Sequence, residues 1–240
     1  MHMKDYSKSI ILIPTLNEKE NLKDLIPGIF GLMPDISVLI VDDSSSDGTE
    51  ELINSFKQKF HNLIFISRKN SFGYGRACVE GFEWILANGN FDFIVTMDAD
   101  FSHDHKTIPL ILDMLGSRDV VLGSRYIKGG QISNWSLSRK ILSRFANYYV
   151  RFLLGLNFYD VTTGFVGYRK KAVRKLVEHK PQSEGYAFLV ESKYLLIRAG
   201  FLISECPIIF SERHEGKSKM SYEVIWESIW LPLKLRLRKI

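Results

Sequence analysis

Phe93-Ile94-Val95-Thr96-Met97-Asp98-Ala99-Asp100 sets an unbroken apolar and β-branched run directly before two carboxylates separated by one alanine. Such a run reads as a strand buried on both faces, the kind found in parallel sheets. Carboxylates this close repel each other unless a cation neutralises them. The carboxyl end of a strand in an open α/β sheet is also the edge where ligands bind. The chemistry that suits the pair is a Mg²⁺ or Mn²⁺ ion held by carboxylate oxygens and completed by substrate phosphates. Taken alone, the triplet reads more readily as two solvated aspartates opening a loop, so the rest of the chain must decide.

Outward from that run the chain alternates strand and helix patterns. Upstream, strands are expected at residues 9–13, 38–41 and 63–67. Helices are expected at 18–30, entered through Asn17 as N-cap, at 49–60, and at 73–87 opening with Gly73-Tyr74-Gly75. This alternation predicts a mostly parallel central sheet flanked by helices, the α/β class. Downstream come a helix at 108–115, a strand at 119–123, a long amphipathic helix at 138–156 and a glycine-interrupted strand at 161–168. A helix at 183–199 and a strand at 202–210 follow. The expected organisation is one catalytic unit over residues 1–220 and a basic amphipathic segment over 221–240.

The net charge of +5, with a pI near 9.1, suits an anionic partner such as a phosphate or a membrane surface. The basic residues are not interleaved in any nucleic-acid-binding motif, so no nucleic acid partner is expected. Cys78 and Cys206 lie far apart without metal-site spacing, which points to a reducing, cytoplasmic compartment. No apolar stretch reaches the roughly 18 residues of a spanning helix, and no signal peptide is visible.

Several constellations join the triplet. Pro14-Thr15-Leu16-Asn17-Glu18 follows the first strand and Val41-Asp42-Asp43-Ser44 closes the second, so three acidic loops share one sheet edge. A carboxylate there can accept hydrogen bonds from a base or ribose, although Asp47-Gly48 equally marks an ordinary turn. Gly73 and Gly75 lack the spacing of a phosphate-binding loop and read as cleft lining. In the helix at 138–156, Arg139, Ser143, Asn147 and Arg151 recur every four residues and form a polar stripe. Ile141, Leu142, Phe145, Tyr148, Tyr149, Phe152 and Leu153 cover the other sides. That composition suits a lipid chain beside a phosphate head. Arg213 through Lys219 forms a basic loop able to fold over a diphosphate.

Together these motifs resemble glycosyltransferase family 2, in its polyprenyl-phosphate sugar synthase branch, which includes the dolichol-phosphate mannose synthases. The resemblance runs in order from residue 9 to 220. It is carried by Ile13-Pro14-Thr15-Leu16-Asn17-Glu18, Val41-Asp42-Asp43, Asp98-Ala99-Asp100-Phe101-Ser102-His103 and Gly123-Ser124-Arg125-Tyr126. Further matches are Asp160-Val161-Thr162-Thr163-Gly164-Phe165, Glu184-Gly185-Tyr186-Ala187-Phe188, Glu205-Cys206-Pro207-Ile208, and Arg213 to Lys219.

The resemblance implies a GT-A fold. Asp98 and Asp100 would hold Mg²⁺ or Mn²⁺. Pro14, Glu18, Val41, Asp43, Asp98, Ala99, Asp100, Arg213 and Lys219 would surround the donor nucleotide. Arg125, Arg139 and Ser143 would bind the lipid phosphate, with Asp98, Asp100 and Arg213 as the catalytic groups. The implied reaction is inverting transfer of a hexose, mannose from GDP-mannose first, to dolichyl or polyprenyl phosphate on the cytoplasmic face of a membrane.

The alternatives are glucose transfer from UDP-glucose to the same acceptor, or transfer to a sugar hydroxyl with Glu184 or Glu191 as base. A module that binds nucleotide sugar without turnover is the non-enzymatic reading. Leu16 stands where many relatives carry Tyr and His105 where they carry Pro; His103 and His105 could touch the metal, but exposed loop histidines are the preferred reading. Many relatives continue into transmembrane helices. Here the leucine- and cation-rich end, Trp230 to Lys239, suggests contact with an anionic membrane surface, or a partner subunit that supplies the anchor.

Overall fold

The computed structural model describes residues 4–69, 73–211 and 222–237. Nine strands occur among them: β1 Ser9–Thr15, β2 Ser37–Asp42, β3 Leu63–Ser67, β4 Phe93–Thr96, β5 Val120–Ser124, β6 Gln131–Ile132, β7 Val166–Arg169, β8 Ile203–Pro207 and β9 Ile209–Phe210. The helices are α1 Lys19–Leu32, α2 Thr49–Lys57, α3 Tyr74–Asn88, α4 Ile108–Met114, α5 Leu137–Leu154, α6 Lys170–Glu178, α7 Phe188–Arg198 and α8 Tyr222–Leu237.

Seven strands form one sheet in the order β3-β2-β1-β4-β7-β5-β8. All its pairings are parallel except those of β7, which runs antiparallel to both β4 and β5. From β1 the chain first builds outward through β2 and β3, then returns to lay β4 on the other side of β1. The carboxyl ends of β1 and β4 therefore flank a topological switch point, where an open sheet leaves a crevice.

Strict alternation along β1 shows why the sheet is buried on both faces. Ile10 and Leu12 enter one core with α3, α6 and α7, while Ile11 and Ile13 enter another with α1 and α4. Continuous β-branched runs satisfy both layers at once, which is why these strands lack the polar alternation of a half-exposed sheet.

Three features depart from the sequence expectations. Helix α6 stands where no helix was anticipated, since its Lys/Arg-rich outer face masks the apolar triad Ala172, Val173 and Leu176. The expected strand at 161–168 shortens to β7, because residues 160–165 form a loop held by side chains. The expected strand at 202–210 divides into β8 and β9, and β9 pairs with β6 in a separate two-stranded sheet. That small sheet anchors residues 125–136 beside the carboxyl edge.

Candidate active site

The loops after β1 and β2 interlock. Asn17 N–H donates to Ser45 Oγ at 2.7 Å, and Ser46 N–H donates back to Asn17 Oδ1 at 2.9 Å. Asn17 is thus not the N-cap expected for α1. It sits in the left-handed region, at φ 56°, with its amide committed to the neighbouring loop. The acceptor at the start of α1 comes from Asp47, whose Oδ2 takes Lys19 N–H at 2.9 Å while Oδ1 takes Thr49 N–H at 3.0 Å. One carboxylate therefore serves two helix N-termini. Ser44 and Phe101 also hold left-handed backbone, at φ 56° and 59°. Three non-glycine residues in this region, one in each loop, mark an edge whose backbone is held by its surroundings.

Between these loops opens a cleft of about 270 Å³ lined by Pro14, Glu18, Asp43, Asp98, Ala99 and Asp100, with Tyr74 and Tyr186 along one wall. The tyrosine rings stack at 5.3 Å. Val41 is not on this surface, since its side chain is fully buried in the core beneath. Arg213 and Lys219 lie outside the described residues. A larger depression of about 340 Å³ lies at the opposite end of the sheet, around Tyr6, Ser9 and Phe93. It sits at the amino ends of β1 and β4, away from the switch point, so the smaller cleft is the better candidate.

Asp43 faces the cleft but is already engaged. Arg68 pairs with its Oδ1, and Gly73 N–H donates to Oδ2 at 2.9 Å. Burial pushes this carboxyl above the usual carboxylate range, against the pull of Gly73 and Arg68. Arg68 is itself buried and also reaches Glu80 at 2.9 Å. Gly73, at φ 124°, lets α3 start against the Glu184 backbone, whose carbonyl accepts Gly75 N–H at 2.8 Å. These glycines serve close approach of two backbones, and they put Tyr74 on the cleft wall.

Asp98 and Asp100 both line the cleft. Asp100 is 4% exposed, and its Oδ1 accepts Ser102 N–H at 3.1 Å. His103, expected at the surface, is buried. Its ring stacks on Phe165 at 5.0 Å, and its Nδ1 accepts the Asp98 N–H at 3.0 Å. Burial lowers its pKa, so the imidazole is neutral and its Nδ1 lone pair serves the loop rather than a metal. His105 is half-buried against α1, where its ring contacts Gly28. Among the described residues no cluster of three or more His, Cys, Asp or Glu converges as a metal cage. Asp98 and Asp100 offer two carboxylates, a set that would suit a hard divalent cation completing its shell with water and phosphate oxygens.

A second polar corner adjoins the first. Arg125 Nε and Nη2 donate to Asp160 at 2.7 Å each, and Nη2 also reaches Thr162 Oγ1 at 2.8 Å. Asp160 is fully buried, with its own N–H held by Glu205 at 3.0 Å. Burial alone would lower the Arg125 pKa, and Asp160 more than reverses this. The guanidinium lies 5.0 Å from the Phe210 ring, 5.2 Å from Tyr126 and 5.8 Å from Trp135. Arg139 covers Trp135 at 3.9 Å, and Ser143 Oγ meets Tyr126 Oη at 2.7 Å. Arg125, Arg139 and Ser143 are thus gathered around one aromatic cluster.

Glu191 is buried and accepts three backbone hydrogen bonds from Gln182 and Ser183, while Glu184 pairs with Arg76 at the surface. Glu191 is thereby committed to structure, whereas Glu184 stays exposed beside the cleft wall formed by Gly185 and Tyr186. The sequence reading missed Asp160 as the partner of Arg125. It also missed Lys193, whose buried Nζ donates to Thr163 O and Leu189 O. The signal for Asp160 was its place in a turn-rich loop after the long helix; Lys193 carried none, because a lysine in α7 reads as surface.

The family model for glycosyl transferase family 2 matches residues 10–177, from β1 through most of α6. The chain belongs to glycosyl transferase family 2. It is a glycosyltransferase with a GT-A-like fold. The chain is 36% identical over 225 residues to a polyprenol monophosphomannose synthase of Mycolicibacterium smegmatis, covering 93% of this chain and 84% of that protein. It is 37% identical over 220 residues to an undecaprenyl-phosphate mannosyltransferase of Micrococcus luteus, covering 92% and 90%. Among solved structures it is similar in fold to glucosyl-3-phosphoglycerate synthase from Mycobacterium tuberculosis, solved with Mn²⁺, UDP and glucosyl-3-phosphoglycerate. That match has a TM-score of 0.67 at 16% identity, covering 95% of this chain and 79% of that one. The same enzyme with Mg²⁺ and UDP also gives 0.67, at 17% identity.

Proposed function

We propose that this glycosyltransferase moves mannose from GDP-mannose to a polyprenyl phosphate at a membrane surface, with inversion at the anomeric carbon. The observation that carries the reading is the adjacency of two corners of opposite charge on one sheet edge. Asp98 and Asp100 form one, suited to a cation-bridged diphosphate, and Arg125, Arg139 and Ser143 form the other, suited to a phosphate monoester. The two mannosyltransferase-named relatives, matched over more than nine-tenths of the chain, support both the sugar and the acceptor class.

In this reading Pro14, Glu18, Asp43 and Ala99 seat the nucleoside, with Val41 shaping the floor from below. Asp98 and Asp100 hold Mg²⁺ or Mn²⁺, which when bound would neutralise the departing diphosphate. Arg213 and Lys219 are assigned to the same diphosphate by resemblance alone. Arg125, kept rigid by Asp160, and Arg139, laid on Trp135, orient the acceptor oxygen and screen repulsion between two anionic substrates. A phosphate monoester, with a second pKa of about 6, is already ionised near neutral pH, so no general base is needed. That fits a site in which Glu191, one of the two candidate bases, is buried and held by the backbone N–H groups of Gln182 and Ser183.

The test is a donor panel of GDP-mannose, UDP-glucose and UDP-galactose with a short polyprenyl phosphate and Mg²⁺ or Mn²⁺, scored for lipid-linked sugar. Asp100→Ala should lose metal-dependent transfer while keeping its fold. Transfer only to sugar hydroxyls, or full activity after chelation, would overturn the proposal.

A further inference from the structure

The cleft has one aromatic wall, and it is held more firmly than a simple lining needs. Among the described residues around the cleft, only Tyr74 and Tyr186 carry aromatic rings, stacked at 5.3 Å with 19° between their planes. Behind them, the start of α3 and the segment bearing Tyr186 are clamped together. Glu184 O accepts Gly75 N–H at 2.8 Å and Arg76 N–H at 3.3 Å, and the Arg76 guanidinium pairs with the Glu184 carboxylate. A Cβ on Gly73 or Gly75 would come 2.5 Å from a carbonyl oxygen of Glu184 or Ser183, so glycine at both places permits the approach. Rings held this way lose little freedom when a ligand settles on them.

What the wall offers is ring surface. Tyr74 Oη is buried against Gly164, where a Cβ would stand 2.8 Å from it, while both tyrosines are otherwise half-buried. Position selects the occupant. Tyr74 follows Gly73, whose N–H is held by Asp43 on the nucleoside side of the cleft. Its ring runs from there to Gly164, in the loop whose Asp160 and Thr162 hold Arg125 on the acceptor side. The same Gly164 Cβ position is 3.5 Å from Asp98 Oδ1. A nucleotide sugar is a chain of nucleoside, diphosphate and hexose. With the nucleoside at Asp43 and the diphosphate at Asp98 and Asp100, the hexose falls between Asp98 and Arg125, beside the two rings. Hexoses carry hydroxyls around the rim and C–H groups on their faces, and an aromatic ring buries such a face without competing for the hydroxyls.

From this we infer that Tyr74 and Tyr186 form a shelf on which the hexose of the donor stacks. The inference rests on the proposed reaction in one respect, a nucleotide sugar with its diphosphate at Asp98 and Asp100; it holds whichever hexose that donor carries.

The test is calorimetric titration of the intact protein with GDP-mannose, GDP, UDP-glucose and UDP, each with Mn²⁺ and no acceptor, with the fold of every variant checked by circular dichroism. Tyr74→Leu and Tyr186→Leu are made separately, so that one folded variant suffices. Each should weaken the sugar nucleotide about tenfold and leave the matching diphosphate within about twofold. Tyr74→Phe, which keeps the ring, should restore the affinity that Tyr74→Leu loses. Equal losses of sugar nucleotide and diphosphate in a folded variant would overturn the inference, because the rings would then serve the nucleoside or the fold. Undiminished sugar nucleotide affinity would overturn it as well. A loss confined to UDP-glucose would uphold the shelf and sink the proposed donor. Transfer from GDP-mannose to polyprenyl phosphate, with affinities unaltered in both leucine variants, would do the reverse.

Discussion

Lys193 offers a test of the site's internal electrostatics. It is fully buried in α7, with Nζ donating to Thr163 O at 2.8 Å and to Leu189 O at 2.7 Å. Burial lowers its pKa from 10.5 to about 7; Asp160 opposes the shift, Arg125 adds to it and Cys78 opposes it. The unfolded chain holds the proton up to pH 10.5 and the folded chain releases it near 7, so between these values the unfolded state binds more protons and stability rises with pH. Below pH 7 both states are protonated and the burial penalty is felt in full. With these two pKa values, linkage gives a gain of about 3 kcal/mol between pH 6.5 and 9.5. Lys193→Met removes the titrating group and keeps most of the volume. Urea unfolding, followed by tryptophan fluorescence across that range, should show the wild type gaining about 3 kcal/mol on the variant as pH rises. A difference that stays flat with pH would refute the reasoning, because every other titrating group is common to both proteins.

Other outcomes follow from single contacts. Asp160→Asn leaves the Arg125 charge without its buried partner and should cost about 3–5 kcal/mol in urea unfolding; a loss under 1 kcal/mol would mean the pair is structurally idle. A Cβ at Gly164 would lie 2.8 Å from Tyr74 Oη and 3.5 Å from Asp98 Oδ1. Gly164→Ala should therefore slow metal-dependent turnover about tenfold or more, and Tyr74→Phe in the same chain should recover part of it. Arg68→Met strips Asp43 of its buried partner and should raise the donor KM about tenfold, with kcat changed much less; an unaltered KM would remove Asp43 from the nucleotide site.

The strands were legible because a doubly buried parallel strand needs continuous β-branched and aliphatic residues, and Ile10 to Ile13, Val38 to Val41 and Phe93 to Thr96 meet that demand without relying on distant residues. The carboxyl-edge loops were legible for a related reason: a strand that ends in Asp or Asn places those groups at a predictable end of the sheet. Helix ends and side-chain commitments were not. Asn17 looked like a cap until Asp47, distant in sequence, took the position. His103 looked exposed because polar loop sequence carries no sign of the Phe165 and Phe210 rings that cover it.

By itself, then, the chain's sequence determined the α/β class, the edge on which acidic loops gather and the motifs that resemble family 2, since these depend on local pattern and on strand direction. Only tertiary structure decided which groups are spoken for. Asp43 is held by Arg68, Arg125 by Asp160 and Glu191 by a loop backbone, through contacts between segments far apart in the chain. The same holds for α5. Its period showed an amphipathic helix, but which stripe faces inward depends on Tyr126, Val161 and Thr162 offering hydrogen bonds to the polar side, and those partners come from other parts of the fold.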